Sequence, residues 1–400
     1  METRKLQQVG GGTFTVSIPK EWATEHALEA GAEVHLYTHS DGSVVVRAAA
    51  RDGGHLDEAR VDLEASDPSG DEGETGATTA DGTERVTRTL RAAQTAGFET
   101  VRLTRDEGFD DGQRRAARAL ASDLVGTDVV TGGSGELAVR NLLDAGDVSV
   151  RQSVVQLQFV AISVHRAATT ALVEGDAEAA ERLRDRRDEA DRLFGMVARH
   201  CNRALTSLAT VDRLGVTRPE LFDYCDTARH LRDVSAAGVR IAAVAERLDH
   251  SPADPVAQTV ERLGARSRAV VEDAAGAVLE GTDIGAAHAA LDDADAVAIE
   301  ADAVEAALFD GGSGGDAPAG DAAAEATVAT DGAGEPGGDD GDGTAPDLSD
   351  VSPTDRLALA RALDPLARTA DHGGRVARVA LRAAIRDANG DAGASGTSDV

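Results

Sequence analysis

Lysine is nearly missing from this chain: it stands at positions 5 and 20, and every other residue of the Lys and Arg total is arginine. Aromatic residues make up only 2% of the sequence. Two cysteines, Cys201 and Cys225, with no CxxC spacing, exclude a disulfide scaffold and a cysteine-based zinc module; they read as reduced core thiols on separate helices. No run approaches the ~18 consecutive apolar residues of a membrane span, so no membrane insertion is expected. The polar N-terminus carries no signal-peptide pattern. Walker, GxGxxG, HExxH and GxSxG patterns are missing too, and no nucleophile–base set can be assembled. The chain is therefore not read as an enzyme.

What is abundant is acid. The 71 Asp and Glu against 40 Lys and Arg give a net charge of −31, spread along the chain. So acidic a chain, poor in aromatics, could be taken for a disordered one, but long helical patterns exclude that for most of it. The composition looks haloarchaeal, that of a cytoplasmic protein kept soluble in concentrated salt by its acidic surface. At molar salt the Debye length is about 3 Å, so repulsion from other polyanions is screened and long-range steering is lost.

Residues 13–47 read as strand, short helix, strand, turn and strand. Thr13 to Ile18 is β-rich and ends at Pro19. Lys20 to Leu28 suits two helical turns, with Gly31 as a stop. Val34 to Tyr37 and Val44 to Arg47 flank His39-Ser40-Asp41-Gly42, a hairpin signal. A unit this small cannot bury its own apolar face, which calls for a dimer. Arg4-Lys5, Ser17-Ile18-Pro19-Lys20-Glu21, Gly31 and the Gly42 hairpin together resemble the AbrB/SpoVT swapped-hairpin family. The resemblance implies an intertwined homodimer that binds DNA through basic residues. On this chain those are Arg4, Lys5 and Lys20; Gly10 to Thr13, Ala23 and Thr24 lack the arginines of a strong DNA binder.

Residues 64–83 form an acidic linker, and 84–147 a small α/β segment: helix from Glu84 to Ala96, strand from Glu99 to Thr104, helix from Asp110 to Leu124, strands Asp128 to Thr131 and Glu136 to Leu142. From Ser149 the chain is helical. Val154, Leu157, Ala161, Val164, Ala168 and Ala171 make one apolar seam. A second helix is expected over about 177–214, a third from Pro219 to about Leu248, a fourth from Asp254-Pro255 to about Glu280, a fifth from Asp283 to about Phe309 and a sixth over about 353–388. Asp188-Glu189-Ala190-Asp191 answers Asp292-Asp293-Ala294-Asp295, and Ala237 to Ala242 answers His372 to Ala377, so the six helices are two copies of a three-helix unit. A disordered acidic insert is expected over 310–350.

The segments at 186–194, 231–248 and 366–381 resemble the PhoU family, regulators of phosphate uptake. The resemblance implies a soluble helical regulator that docks on a phosphate transporter ATPase or a phosphate-signalling protein. Some family members bind metal through carboxylates four residues apart on the second and third helices, where they stack on one face. Carried onto this chain, those positions fall on Arg187 and Asp191, Arg232 and Ala236, Leu291 and Asp295, Ala367 and Asp371. Asp191, Asp295 and Asp371 alone remain as carboxylates, while Arg187 and Arg232 substitute the charge of a metal. No cofactor is expected, and the missing carboxylates argue against a divalent metal. Asp371-His372 with Asp295 is a weaker metal grouping; His372 is read as structural or exposed, and His165, His200 and His230 show no ligand spacing.

The chain thus reads as a multidomain α+β protein. A swapped-hairpin β domain spans 1–50 and an α/β connector 51–147. Tandem all-α three-helix bundles span 148–250 and 251–388, and a disordered tail 389–400. The functional expectation is a dimeric DNA-binding regulator of phosphate uptake and homeostasis. The alternative is a protein–protein adaptor of phosphate-transport signalling that does not bind DNA.

Overall fold

The computed structural model describes residues 3–10, 12–39, 42–48, 56–64, 79–124, 126–131, 133–142, 145–248, 250–281, 284–310, 346–348 and 350–394. At the N-terminus, β1 (Gln7–Val9) pairs antiparallel with β2 (Thr13–Thr15), Gln7 opposite Thr15. Helix α1 (Lys20–Glu25) starts after Pro19. It stops short of Leu28 because His26 caps it and Ala27 takes a left-handed φ of 51°. Strands β3 (His35–Thr38) and β4 (Val44–Arg47) form the expected hairpin, His35 opposite Arg47. Gly42, at φ 84°, donates its N–H to the His39 carbonyl at 3.1 Å, a backbone conformation that favours glycine. Ser40 and Asp41 of the turn lie outside the described residues.

The connector holds a strand that the hydropathy pattern does not announce. β5 (Glu58–Asp62) runs parallel to β6 (Thr100–Thr104), giving the sheet order β5-β6-β8-β7 once β7 (Thr127–Thr131) and β8 (Glu136–Asn141) are added. Only Ala59 and Val61 of β5 pack toward the core, between Glu58, Arg60 and Asp62. Helix α2 (Thr79–Ala96) begins within the acidic linker expected over 64–83, of which residues 65–78 lie outside the described residues. It packs on α3 (Asp111–Asp123), which opens with a capping box: Asp110 accepts from the Gln113 N–H at 2.8 Å and Gln113 from the Asp110 N–H at 3.0 Å. Val86, Leu90, Val101, Leu103, Leu120 and Leu137 fill the core between helices and sheet.

A helical region follows. Helix α4 (Val150–Glu174) is capped by Ser149 and ended by Gly175 in the left-handed conformation, φ 69°. The single helix expected over 177–214 is two: α5 (Ala179–Thr206) and α6 (Leu208–Leu214). Ser207 turns extended and caps α6 by accepting from the Thr210 N–H. The heptad row conceals this break because Val211 beyond it is still buried. Helix α7 (Arg218–Ala245) opens with a Thr217–Glu220 capping box and a proline in its first turn. Then come α8 (Asp254–Glu280), α9 (Ile284–Asp310) and α10 (Pro353–Ala394), the last running past the end expected at 388. Residues 311–345 and 349 of the acidic insert lie outside the described residues, but its far end is anchored: Leu348 is buried in the bundle core.

Helices α4, α5 and α7 pack on one another, as do α8, α9 and α10, and the two units meet through α4 with α8 and α7 with α10. The copies match in detail. Gly238 of α7 lies so close to α4 that a Cβ there would sit 3.1 Å from the His165 Cα. Gly373 of α10 lies equally close to α8, where a Cβ would sit 3.1 Å from the Val271 backbone nitrogen. The absent side chain lets the third helix of each copy approach its first. No helix among the described residues is long and apolar enough to cross a membrane.

Candidate functional site

The three head cations are all exposed: Arg4 and Lys5 precede β1, and Lys20 opens α1. Around them the head presents apolar side chains to solvent. Leu6, Val9, Phe14, Val16, Leu36 and Val44 are all more than half exposed, Phe14 at 66%. Among the described residues of the head, only His39 is buried. Its Nδ1 contacts the Asp212 carboxylate of α6, so the head touches the bundle at the short helix that Ser207 sets off from α5. Arg47, at the end of β4, lies with its guanidinium 5.9 Å from the Tyr37 ring centre. It also lines a cavity of about 520 Å³ with Cys201, Leu205, Phe222, Cys225 and Arg229 of the bundle.

The positions that would hold metal in the PhoU pattern are occupied by other chemistry. Arg187 Nε lies 3.8 Å from Asp191, one helical turn on. Arg232 does not face Ala236. It holds the neighbouring Asp233 at 2.7 and 3.1 Å and lies 4.4 Å from the Phe194 ring centre. Asp371 is paired with Arg375 at 2.9 Å, and Asp295 is exposed. Asp191, Asp295 and Asp371 do not fall in the group of metal-capable side chains that the described residues bring together. Two arginines, a leucine and two alanines at the eight aligned positions do not fit a multi-carboxylate cluster. His372 also departs from its sequence grouping: its partner is His230 of α7, with 3.3 Å between the two Nδ1 atoms.

One polar row on α5 escaped sequence reasoning. Arg199, Asn202 and Arg203 lie three and four residues apart, and all three donate to the chain end of α2: Arg199 to the carbonyls of Gln94 and Phe98, Asn202 to Thr95, Arg203 to Gly97. Cationic donors at a helix C-terminus satisfy its open carbonyls and oppose its dipole. Burial, with Arg203 beside it, pushes the Arg199 guanidinium down to about 10. The signal that could have exposed the row is the i, i+3, i+4 spacing of Arg199, Asn202 and Arg203, which sets three polar donors on one helix face.

Comparison with known families agrees with this layout. Residues 7–53 match the family described as antidote-toxin recognition MazE, bacterial antitoxin. Residues 154–245, from α4 to the end of α7, match the PhoU domain. No curated protein and no solved structure matches the chain. The chain therefore carries a MazE/AbrB-type domain at its N-terminus and a PhoU domain in its helical region. The second three-helix unit, beyond residue 245, lies outside the matched segment and is recognised as a repeat by its packing.

Proposed function

We propose that this chain is a cytoplasmic, dimeric DNA-binding regulator of phosphate uptake, adapted to high salt, in which the helical bundle senses phosphate status by docking on a phosphate transporter ATPase or a phosphate-signalling protein. The observation that carries the reading is the contact between His39 of the head and Asp212 of α6, in a chain that joins a MazE/AbrB-type domain to a PhoU domain. A shift of α6 on docking reaches the head directly. The exposed apolar strands of the head support a second copy as the surface that covers them.

The second reading is a phosphate-signalling adaptor whose head dimerises without DNA. It is favoured by the small number of head cations, Arg4, Lys5 and Lys20, in a chain of net charge −31. Titrating the full chain against duplex DNA from promoters of phosphate-transport genes, over a series of potassium chloride concentrations up to molar, separates the two. Regulation requires binding that Arg4→Ala with Lys5→Ala weakens, together with a salt slope flatter by about 0.9 for each phosphate no longer neutralised. Binding absent from the intact protein at every salt concentration supports the adaptor.

A further inference from the structure

We propose that His230, Asp233 and His372 form a site for one divalent transition-metal ion of the zinc class, on the seam where the third helices of the two repeats meet. His230 and Asp233 stand three residues apart on α7 and so share a face, and His372 reaches them from α10. One ligand atom from each of the three lies within 4.8 Å of the others.

The spacing is that of a shared ion. Metal–nitrogen bonds of about 2.05 Å at a tetrahedral angle set two nitrogens about 3.3 Å apart, and the two Nδ1 atoms are 3.3 Å apart. The rings are tilted by 38° with centres 5.5 Å apart, so the contact is nitrogen to nitrogen and not a stack. Both imidazoles are half-buried, which sets the pair apart from bulk water.

The surroundings match as well. The other nitrogen of His230, Nε2, faces the Asp226 carboxylate one turn back at 3.7 Å, the partner that orients a metal-bound imidazole. Arg232 takes the Asp233 Oδ1, which leaves the second oxygen of that carboxylate to coordinate. The nearby Arg375 is paired with Asp371, which offsets its charge. Two imidazoles and one carboxylate suit zinc, cobalt or nickel better than calcium or magnesium, and three protein ligands leave a fourth position open to exchange. The site is distinct from the aligned carboxylate positions, which it does not use, and it does not rest on the DNA-binding reading.

The test is calorimetric titration of the metal-stripped full chain with zinc in molar potassium chloride, which screens non-specific binding to the acidic surface. Cobalt absorption serves as a second readout of geometry. Expected are one ion per chain and the visible bands of four-coordinate cobalt. His230→Ala with His372→Ala should weaken uptake by at least ~100-fold, and Asp226→Asn by roughly 10-fold. Asp191→Ala with Asp295→Ala should leave it unchanged. Circular dichroism checks that each variant is folded, and His372→Gln replaces the double variant should that one unfold. The absence of stoichiometric uptake by the intact chain overturns the site and leaves a plain histidine–histidine hydrogen bond. Undiminished uptake in a folded variant lacking His372 overturns it equally.

Discussion

Arg199 of α5 donates to the Phe98 carbonyl at 2.7 Å, and through this bond the helical bundle grips the connector. The same nitrogen also reaches the Gln94 carbonyl at 3.0 Å, and the side chain is buried. Removing it leaves the Phe98 carbonyl to find another partner and the Gln94 carbonyl with the Gly97 N–H alone, at a cost of about 1–3 kcal/mol. Arg199→Ala is therefore expected to lower the unfolding temperature of the connector while the bundle transition stays in place. Hydrogen exchange should show α2 opening earlier than α7. A single, unshifted transition would contradict the joint.

The internal repeat was legible because helical periodicity is long and redundant. Val154 to Ala171 marks one seam, and Ala237-Gly238 answers His372-Gly373 across the two copies. The hairpin was legible from Pro19 and Gly42, whose backbone preferences act locally. Strand β5 was not legible: its two core residues, Ala59 and Val61, sit among charges, and its pairing with β6 is long-range. The break at Ser207 was hidden by a hydrophobic row that continues in register to Val211. The pairing of His230 with His372 was hidden for a different reason. Those residues are 142 positions apart, and which faces of α7 and α10 meet is decided by packing between the repeats, not by spacing within either helix.

The paired glycines give a second prediction. A methyl at Gly238 would meet the His165 Cα at 3.1 Å and its nitrogen at 3.2 Å, both backbone atoms that cannot step aside. At Gly373 it would meet Val270 Cγ1 at 2.7 Å and the Val271 nitrogen at 3.1 Å. Overpacking of this kind costs about 1–3 kcal/mol, more than the roughly 1 kcal/mol that alanine gains over glycine in a helix. Among the described residues, nothing lies within 4 Å of a notional Cβ on Gly195 of α5. Chemical denaturation should show Gly238→Ala and Gly373→Ala destabilised and Gly195→Ala stabilised by about 0.5–1 kcal/mol. Stabilisation by alanine at Gly238 or Gly373 would refute the close helix crossing at that position.

Two buried histidines are expected to make the fold sensitive to acid. Burial, reinforced by Arg268, pushes His165 from 6.5 down to about 3; burial, with Arg199 and Arg203 beside it, pushes His200 down to about 4. His165 Nδ1 accepts from Arg268 at 3.3 Å, while its Nε2 has no hydrogen-bond partner among the described residues. With the folded-state values depressed, the unfolded chain binds more protons below 6.5. The stabilising contribution is thus complete above about pH 6.5 and is lost as the pH falls toward 4 and then 3. Each group contributes about 1.4 kcal/mol per pH unit inside its window, so the pair gives a slope of about 2.7 between roughly pH 6 and 4. In denaturant titrations across this range, His165→Leu is expected to lose about half of that slope. A variant with the full slope would show that His165 is not the group titrating.

Cys201 and Cys225 face each other from α5 and α7 as free, half-buried thiols, and they differ in chemistry. A hydrogen bond to Cys225 and burial together push the Cys201 thiol up. Contact with the Cys201 sulfur pulls the Cys225 thiol down, and the Arg229 charge adds to the effect. Cys201 Sγ donates to the Leu221 carbonyl at 3.7 Å, so Cys225 is the more readily deprotonated of the two sulfurs. Because the thiolate is the reactive form, Cys225 should be alkylated first when the folded chain is treated with limiting iodoacetamide at neutral pH. Mass spectrometry of the two cysteine peptides reads the order directly. Arg229→Ala should slow Cys225 several-fold and leave Cys201 as slow as before. Equal labelling of both sulfurs, or Cys201 reacting ahead of Cys225, would contradict this order.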